Sequence, residues 1–175
     1  LIFGAGFISQ VLIRILNLSN NFIITVADRN NFKLKLANNY ISNKINFDLS
    51  KKNNIKKIKL LNNKFDCIID STGNAQALNF GIDTLAPNGQ FIAFGNVYKN
   101  TILKKKNYSF ILRKELLIKG VWNSTYKKNN SNWKQAENFL LKNSSKILPL
   151  ISHSVSLKKA KNLLDKINLN KLKKI

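Results

Sequence analysis

At 175 residues the chain has room for one domain, or one domain and part of another, and can bury roughly 70% of its unfolded surface. Its formal charge of +22 comes from 30 Lys+Arg against 8 Asp+Glu, yet arginine stands only at Arg14, Arg29 and Arg113. Lone Cys67 excludes a disulfide framework within the chain, and no apolar run reaches the ~18 residues of a membrane span.

Leu1-Ile2-Phe3 reads as the end of a buried strand and runs directly into Gly4-Ala5-Gly6-Phe7-Ile8-Ser9. Gly4-x-Gly6-x-x-Ser9 has the form of a dinucleotide-binding turn. The first glycine permits the tight strand-to-helix turn, the second lets a pyrophosphate approach the backbone, and the third position must stay small for close packing. Ser9 stands where a third glycine is usual. A helix opening there offers N–H groups and a positive dipole end to phosphates. Ile8, Val11, Leu12, Ile15 and Leu16 fall at i, i+3, i+4, i+7 and i+8 and predict the core-facing side of that helix. Asn20 and Asn21 end it. Phe22 to Ala27 then predicts a strand covered on both faces, and Asp28 closes it about 20 positions after Gly6. An acid at that interval can accept hydrogen bonds from an adenosine ribose. A polar residue that merely ends a strand would look the same, but the spacing and the βαβ context favour the ribose reading.

The same rhythm continues. Asn30 to Tyr40 predicts a short helix, Ile45 to Phe47 a third strand, and residues 51–63 a lysine-rich stretch with Ile55, Ile58 and Leu61 at helical spacing. Phe65 to Asp70 is a fourth strand ending in the small polar turn Ser71-Thr72-Gly73-Asn74. A helix from Ala75 to Leu85 closes at Pro87-Asn88-Gly89. Gln90 to Phe94 is a fifth strand with Gly95 at its tip, and Leu116 to Val121 a sixth. Alternating strands and helices predict an α/β fold with a doubly wound parallel sheet of the Rossmann type. Such sheets bind ligands outside the carboxyl ends of their strands. Gly4 to Ser9, Asp28, Ser71 to Gly73, Gly95 and Val121 to Asn123 all fall at such ends, although small residues there also serve turn chemistry alone.

After Trp122 the character changes. Tyr126 to Asn132 reads as a polar loop. Trp133, Ala136, Leu140 and Leu141 mark an amphipathic helix, Pro149 to Val155 an extended segment, and Leu157, Ala160, Leu163 and Leu164 another helix. Lys171 to Ile175 is a candidate short strand. The expected division is a nucleotide-binding domain over 1–123 and a second segment over 124–175. The chain contains no methionine and opens inside a strand, so it reads as missing its N-terminal portion.

The lysines are spread among asparagines and isoleucines with no aromatic RNA-type motif, which predicts a solvated basic surface rather than a built nucleic-acid patch. Only weak, salt-sensitive binding to polyanions is expected. Cys67, inside the apolar run Phe65 to Asp70, reads as a small core thiol of a reducing, cytoplasmic compartment.

The segment Ile111-Leu112-Arg113-Lys114-Glu115-Leu116-Leu117-Ile118-Lys119-Gly120-Val121-Trp122-Asn123-Ser124 resembles the zinc-dependent medium-chain alcohol and polyol dehydrogenases. Within them it is most similar to the galactitol-1-phosphate 5-dehydrogenase subfamily. Trp133 to Ala136 and Pro149 to His153 continue the match in order, and the resemblance spans the chain as the second half of a member. It implies that Gly4, Gly6 and Ser9 hold the pyrophosphate of NAD, and that Asp28 and Lys33 contact the adenosine ribose. Gly95 and Val121, Trp122 and Asn123 would hold the nicotinamide amide, and Lys171 would neutralise pyrophosphate. It also implies a small polyol or polyol phosphate as substrate, a homo-oligomer when intact, and a catalytic zinc whose ligands lie outside this chain. Cys67 and His153 are the chain's only good soft ligands, and His153 reads as a structural histidine in a strand. The competing reading is a basic protein without catalysis, either a decayed Rossmann remnant or a nucleic-acid binder.

Overall fold

The computed structural model describes residues 1–47, 61, 63–124 and 131–168. Contacts group the chain into two compact units, Leu1–Asn123 and Ser124–Ile175.

In the first unit β1 (Ile2–Phe3) leads through the glycine turn into α1 (Phe7–Leu18). β2 (Thr25–Asp28), α2 (Asn31–Ala37), a 3₁₀ turn (Asn38–Tyr40) and β3 (Asn43–Asn46) follow. β4 (Phe65–Asp70), α3 (Ala75–Thr84), β5 (Leu85–Ala93), α4 (Lys105–Arg113) and β6 (Leu117–Gly120) complete it. The strands form one six-stranded sheet in the order β3-β2-β1-β4-β5-β6, and every pairing is parallel. The order reverses at β1, which lies between β2 and β4. This is the doubly wound Rossmann-type arrangement, and its switch point is where such sheets open a crevice.

Strand alternation divides the core between the two faces of the sheet. Phe3, Ala27, Ile68, Leu85 and Phe91 pack with Ala77 of α3. Ile2, Val26 and Ile24 pack with Ile13 of α1 and Leu34 and Ala37 of α2. Phe3, Phe47 and Phe80 meet ring to ring at 5.1–5.7 Å on the first face. Phe3, fully buried, contributes about 1.5–3 kcal/mol, and the half-buried Phe47 and Phe80 less.

The structure corrects several expectations. The face of α1 that is buried carries Ser9, Gln10, Ile13 and Arg14, whereas Ile8 is 60% exposed and Ile15 41%. Leu12 and Leu16 of the expected face do pack against the core, half-buried, so the inward side is rotated toward Ile13 rather than reversed. Hydrogen bonds rather than apolarity let the polar side face inward. β2 begins at Thr25, not Phe22, and Phe22 and Ile23 are exposed. Pro87-Asn88-Gly89 lies within the span of β5 as an irregularity, with Asn88 at φ 59° and the register shifting between Phe65 and Cys67. Helix α4 has no counterpart in the sequence reading, because its two lysines and Asn107 open it with a polar run that dilutes the apolar signal. It is anchored by Asn107, which is fully buried and donates to the carbonyl of Asn79.

In the second unit α5 (Asn132–Ile147) runs into a 3₁₀ turn (Leu148–Leu150), and α6 (Leu157–Asn168) follows. Ser131 caps α5 by accepting from the N–H of Trp133. Residues 151–156 form no strand, and His153 is exposed, so the structural-histidine expectation is not met. The expected helical stretch at 51–63, most of the polar loop after Tyr126 and the strand at 171–175 lie largely or wholly outside the described residues.

Candidate functional site

The two glycines of the first turn meet opposite demands. Gly4 sits at φ +87°, donates its N–H to the carbonyl of Ala27 at 2.8 Å, and a Cβ there would lie 2.5 Å from Oγ of Ser71. It is glycine because both the backbone angle and the neighbouring chain require it. Gly6 has an ordinary φ of −71°, and a Cβ there would meet nothing within 4 Å. No atom of the described residues explains that glycine. Gly6 is also the N-cap of α1, with no side-chain cap on the first-turn N–H groups. An open space above uncapped N–H groups and the positive end of a 12-residue helix suits an anion that comes close to the backbone.

Asp28 stands at the end of β2 beside this turn. Its Oδ2 accepts from the N–H of Ala5 and its Oδ1 from the N–H of Asn30, both at 2.7 Å. The carboxylate therefore belongs structurally to the glycine turn, and each oxygen still has capacity for a hydroxyl donor. Asn30 caps α2 by accepting from the N–H of Phe32 at 2.9 Å. Lys33 lies half-buried on α2, with its carbonyl accepting from Nε2 of Gln10 at 3.0 Å.

Ser9, in the place of the third glycine, is buried. Its hydroxyl donates to Oγ of Ser71 at 2.8 Å, and Ser71 donates onward to the carbonyl of Phe3 at 2.7 Å. The small side chain keeps α1 close to the sheet, and its polar atom is satisfied by the turn after β4. Asp70, buried at the end of β4, shapes that turn by accepting from both N–H and Oγ1 of Thr72. Gly95 abuts the same segment: a Cβ there would lie 2.4–2.6 Å from backbone atoms of residues 71–73. Gly4, Gly6, Ser9, Asp28 and Gly95 thus share one connected region, with Lys33 tied to it through Gln10. Val121, Trp122 and Asn123 follow β6 at the same carboxyl edge, exposed, with Val121 donating to the carbonyl of Ala93 at 2.9 Å. β6 is three strand spacings from β1, or about 14 Å. Lys171 lies outside the described residues.

Sequence reasoning missed Gln10, Asp70 and the part played by Ser71. No sequence signal marks Gln10, because it is buried by hydrogen bonds that only the fold creates. A cavity of about 950 Å³ also opens at the opposite ends of the strands, between Ile24, Asn43, Phe65 and Cys67. It lies away from the carboxyl edge where doubly wound sheets bind ligands. Burial pushes the Cys67 thiol up, which keeps it protonated and unreactive at neutral pH. No group of three or more His, Cys, Asp or Glu converges among the described residues, so these residues do not fit a zinc ion. No helix among them is long and apolar enough to cross a membrane.

Comparison with known proteins agrees with this fold. The zinc-binding dehydrogenase family model matches residues 8–142. The fold is shared with galactitol-1-phosphate dehydrogenase from Escherichia coli, at 22% identity and a TM-score of 0.84, covering 99% of this chain and 51% of that one. It is shared with an alcohol dehydrogenase from Thermotoga maritima at 20% identity and a TM-score of 0.78, covering 97% and 47%. A short chain alcohol dehydrogenase from Escherichia coli, solved with NADH, follows at 19% identity and a TM-score of 0.72, covering 96% and 48%. The chain spans about half the length of these structures. No curated protein matches it.

Proposed function

Because the chain belongs to the zinc-binding dehydrogenase family, we propose that it is the cofactor-binding half of a nicotinamide-dependent alcohol or polyol dehydrogenase that uses NAD. The observation that carries the reading is Gly6, which no contact among the described residues explains and which borders an open space at an uncapped helix end. The diphosphate sits there. Asp28 accepts from the ribose hydroxyls with Lys33 nearby, and Gly95 with Val121 to Asn123 border the nicotinamide. When bound, the dinucleotide supplies a hydride acceptor. The chain's own part is to orient it. Asp28 favours NAD over NADP, because a carboxylate repels a 2′-phosphate, although Arg29 next to it pulls the other way.

The reading extends to the whole protein as a cytoplasmic, zinc-dependent homo-oligomer acting on a polyol phosphate, of the type that converts galactitol 1-phosphate to tagatose 6-phosphate. The match from Ile111 to Ser124 and the fold shared with a galactitol-1-phosphate dehydrogenase support that subfamily. Titration of the chain with NADH and NADPH, followed by Trp122 and Trp133 fluorescence with and without competing DNA, tests the core of the proposal. Saturable binding of NADH, tighter than NADPH and indifferent to DNA, supports it. Equal affinity for the two cofactors removes the ribose assignment, and displacement by DNA favours a basic polyanion binder. Joined to the first half of the Escherichia coli galactitol-1-phosphate dehydrogenase, the chain should oxidise galactitol 1-phosphate in preference to sorbitol or ethanol. A chimera that folds and binds NADH yet prefers ethanol refutes the subfamily alone.

A further inference from the structure

We propose that Gln10 is a positioning residue that aims the Gly6 N–H at the phosphate site; the ligand's identity in this proposal rests on the dinucleotide reading above. Gln10 is fully buried in α1. Its Nε2 donates to the carbonyl of Ala5 at 3.3 Å and to the carbonyl of Lys33 at 3.0 Å, and its Oε1 accepts from Nη1 of Arg14 at 3.0 Å. Those partners fix the orientation of the amide. Reversed, it would set an oxygen against two carbonyls and an NH₂ against a guanidinium. Arg14 is held in turn. Its Nη1 donates to the carbonyl of Gln10 at 2.9 Å, and its guanidinium lies 4.3 Å from the centre of the Tyr40 ring.

Both polar groups of Ala5 are therefore tied inside the protein, the N–H by Asp28 and the carbonyl by Gln10. A trans peptide unit is planar, and its C=O and N–H point in opposite directions. The described chain contains no cis peptide. With the carbonyl of Ala5 drawn inward, the N–H of Gly6 points the opposite way, at a residue where an added Cβ meets nothing within 4 Å. Glycine at position 6 makes this peptide unit easy to rotate. Gln10 is the side chain that holds its carbonyl. Through Lys33 it also ties the diphosphate turn to the helix that follows the ribose acid.

The test uses the full chain, with Gln10→Met and Gln10→Glu as two donors-removed variants of similar length. Two readouts are taken: the amide resonance of Gly6 without ligand, and affinities for ADP-ribose and adenosine. Gln10→Met should move the Gly6 resonance and weaken ADP-ribose by about 10-fold, the share of one amide–phosphate hydrogen bond, while adenosine stays within about 2-fold. Gln10→Glu should do the same. A residue that only fills the core would lower the melting temperature, leave the Gly6 resonance in place and weaken both ligands in equal ratio. Either of those last two results overturns the proposal. If the unmodified chain binds neither ligand, the dinucleotide reading fails, and the Gly6 resonance alone decides whether Gln10 holds the peptide.

Discussion

Placing one methyl group at each of the two glycines of the first turn separates conformational need from ligand need. Gly4→Ala forces a Cβ onto a residue at φ +87° and 2.5 Å from Oγ of Ser71. The left-handed backbone costs about 1–2 kcal/mol. Displacing Ser71 from its bonds to Ser9 and Phe3 costs roughly 0.5–1.5 kcal/mol for each. The sum is about 2–5 kcal/mol, a fall in melting temperature on the order of 10 °C for a chain of this size. Gly6→Ala meets no atom within 4 Å and keeps an ordinary φ of −71°. Its gain of about 0.4–1 kcal/mol from a less flexible unfolded chain is offset by the poorer N-cap, so stability should stay within about 1 kcal/mol. Dinucleotide affinity should nevertheless collapse, because the added methyl occupies the space the diphosphate needs. Calorimetric melting paired with ADP-ribose titration reads both effects. A well-folded Gly6→Ala chain that binds ADP-ribose like the parent would refute the site, and an unshifted melting point for Gly4→Ala would refute the backbone argument.

Asp28→Ser should weaken NADH and narrow its preference over NADPH, measured by fluorescence titration; an unchanged preference speaks against the ribose role. Ser71→Ala should cost about 1–3 kcal/mol in urea unfolding, because it strands the buried Ser9 hydroxyl. Combined with Ser9→Ala it should cost less than the sum of the single changes, and strict additivity would count against the relay. Cys67, its thiol pushed up by burial, should react with iodoacetamide at pH 7 more slowly than free cysteine. The folded thiol keeps its proton after the unfolded one has lost it, so its contribution to stability falls as pH rises through ~8.5 and beyond. Cys67→Ala should flatten that part of the alkaline limb, and an equally steep limb would contradict the shift.

The parallel sheet was legible because strong apolar runs such as Phe65 to Asp70 alternate with glycine-bearing turns, and a central parallel strand requires both. The spacing of Gly4, Ser9 and Asp28 becomes contact in the structure: Asp28 reaches Ala5, and Ser9 reaches Ser71. The inward face of α1 was hidden, since Gln10 and Arg14 are buried by hydrogen bonds that only the fold creates. Helix α4 escaped notice for a related reason. Its anchor is the amide of Asn107, and hydropathy assigns such a residue to the surface. The start of β2 was overread because Phe22 and Ile23 are apolar but exposed.

The place of β1 at the switch point has a mechanical consequence. Ile2 and Phe3 pair with β2 on one side and with β4 on the other. Across that seam the N–H of Ile69 donates to the carbonyl of Leu1 and the N–H of Ser71 to the carbonyl of Phe3. The glycine turn rests on it, with Ala5 bonded to Asp28 on one side and Gly4 abutting Ser71 on the other. A molecule seated on that turn acts as a rivet across the two halves. Deuterium uptake at the amides of Ile69 and Ser71 would then slow on binding, while the β4–β5 ladder, which the turn does not bridge, changes little.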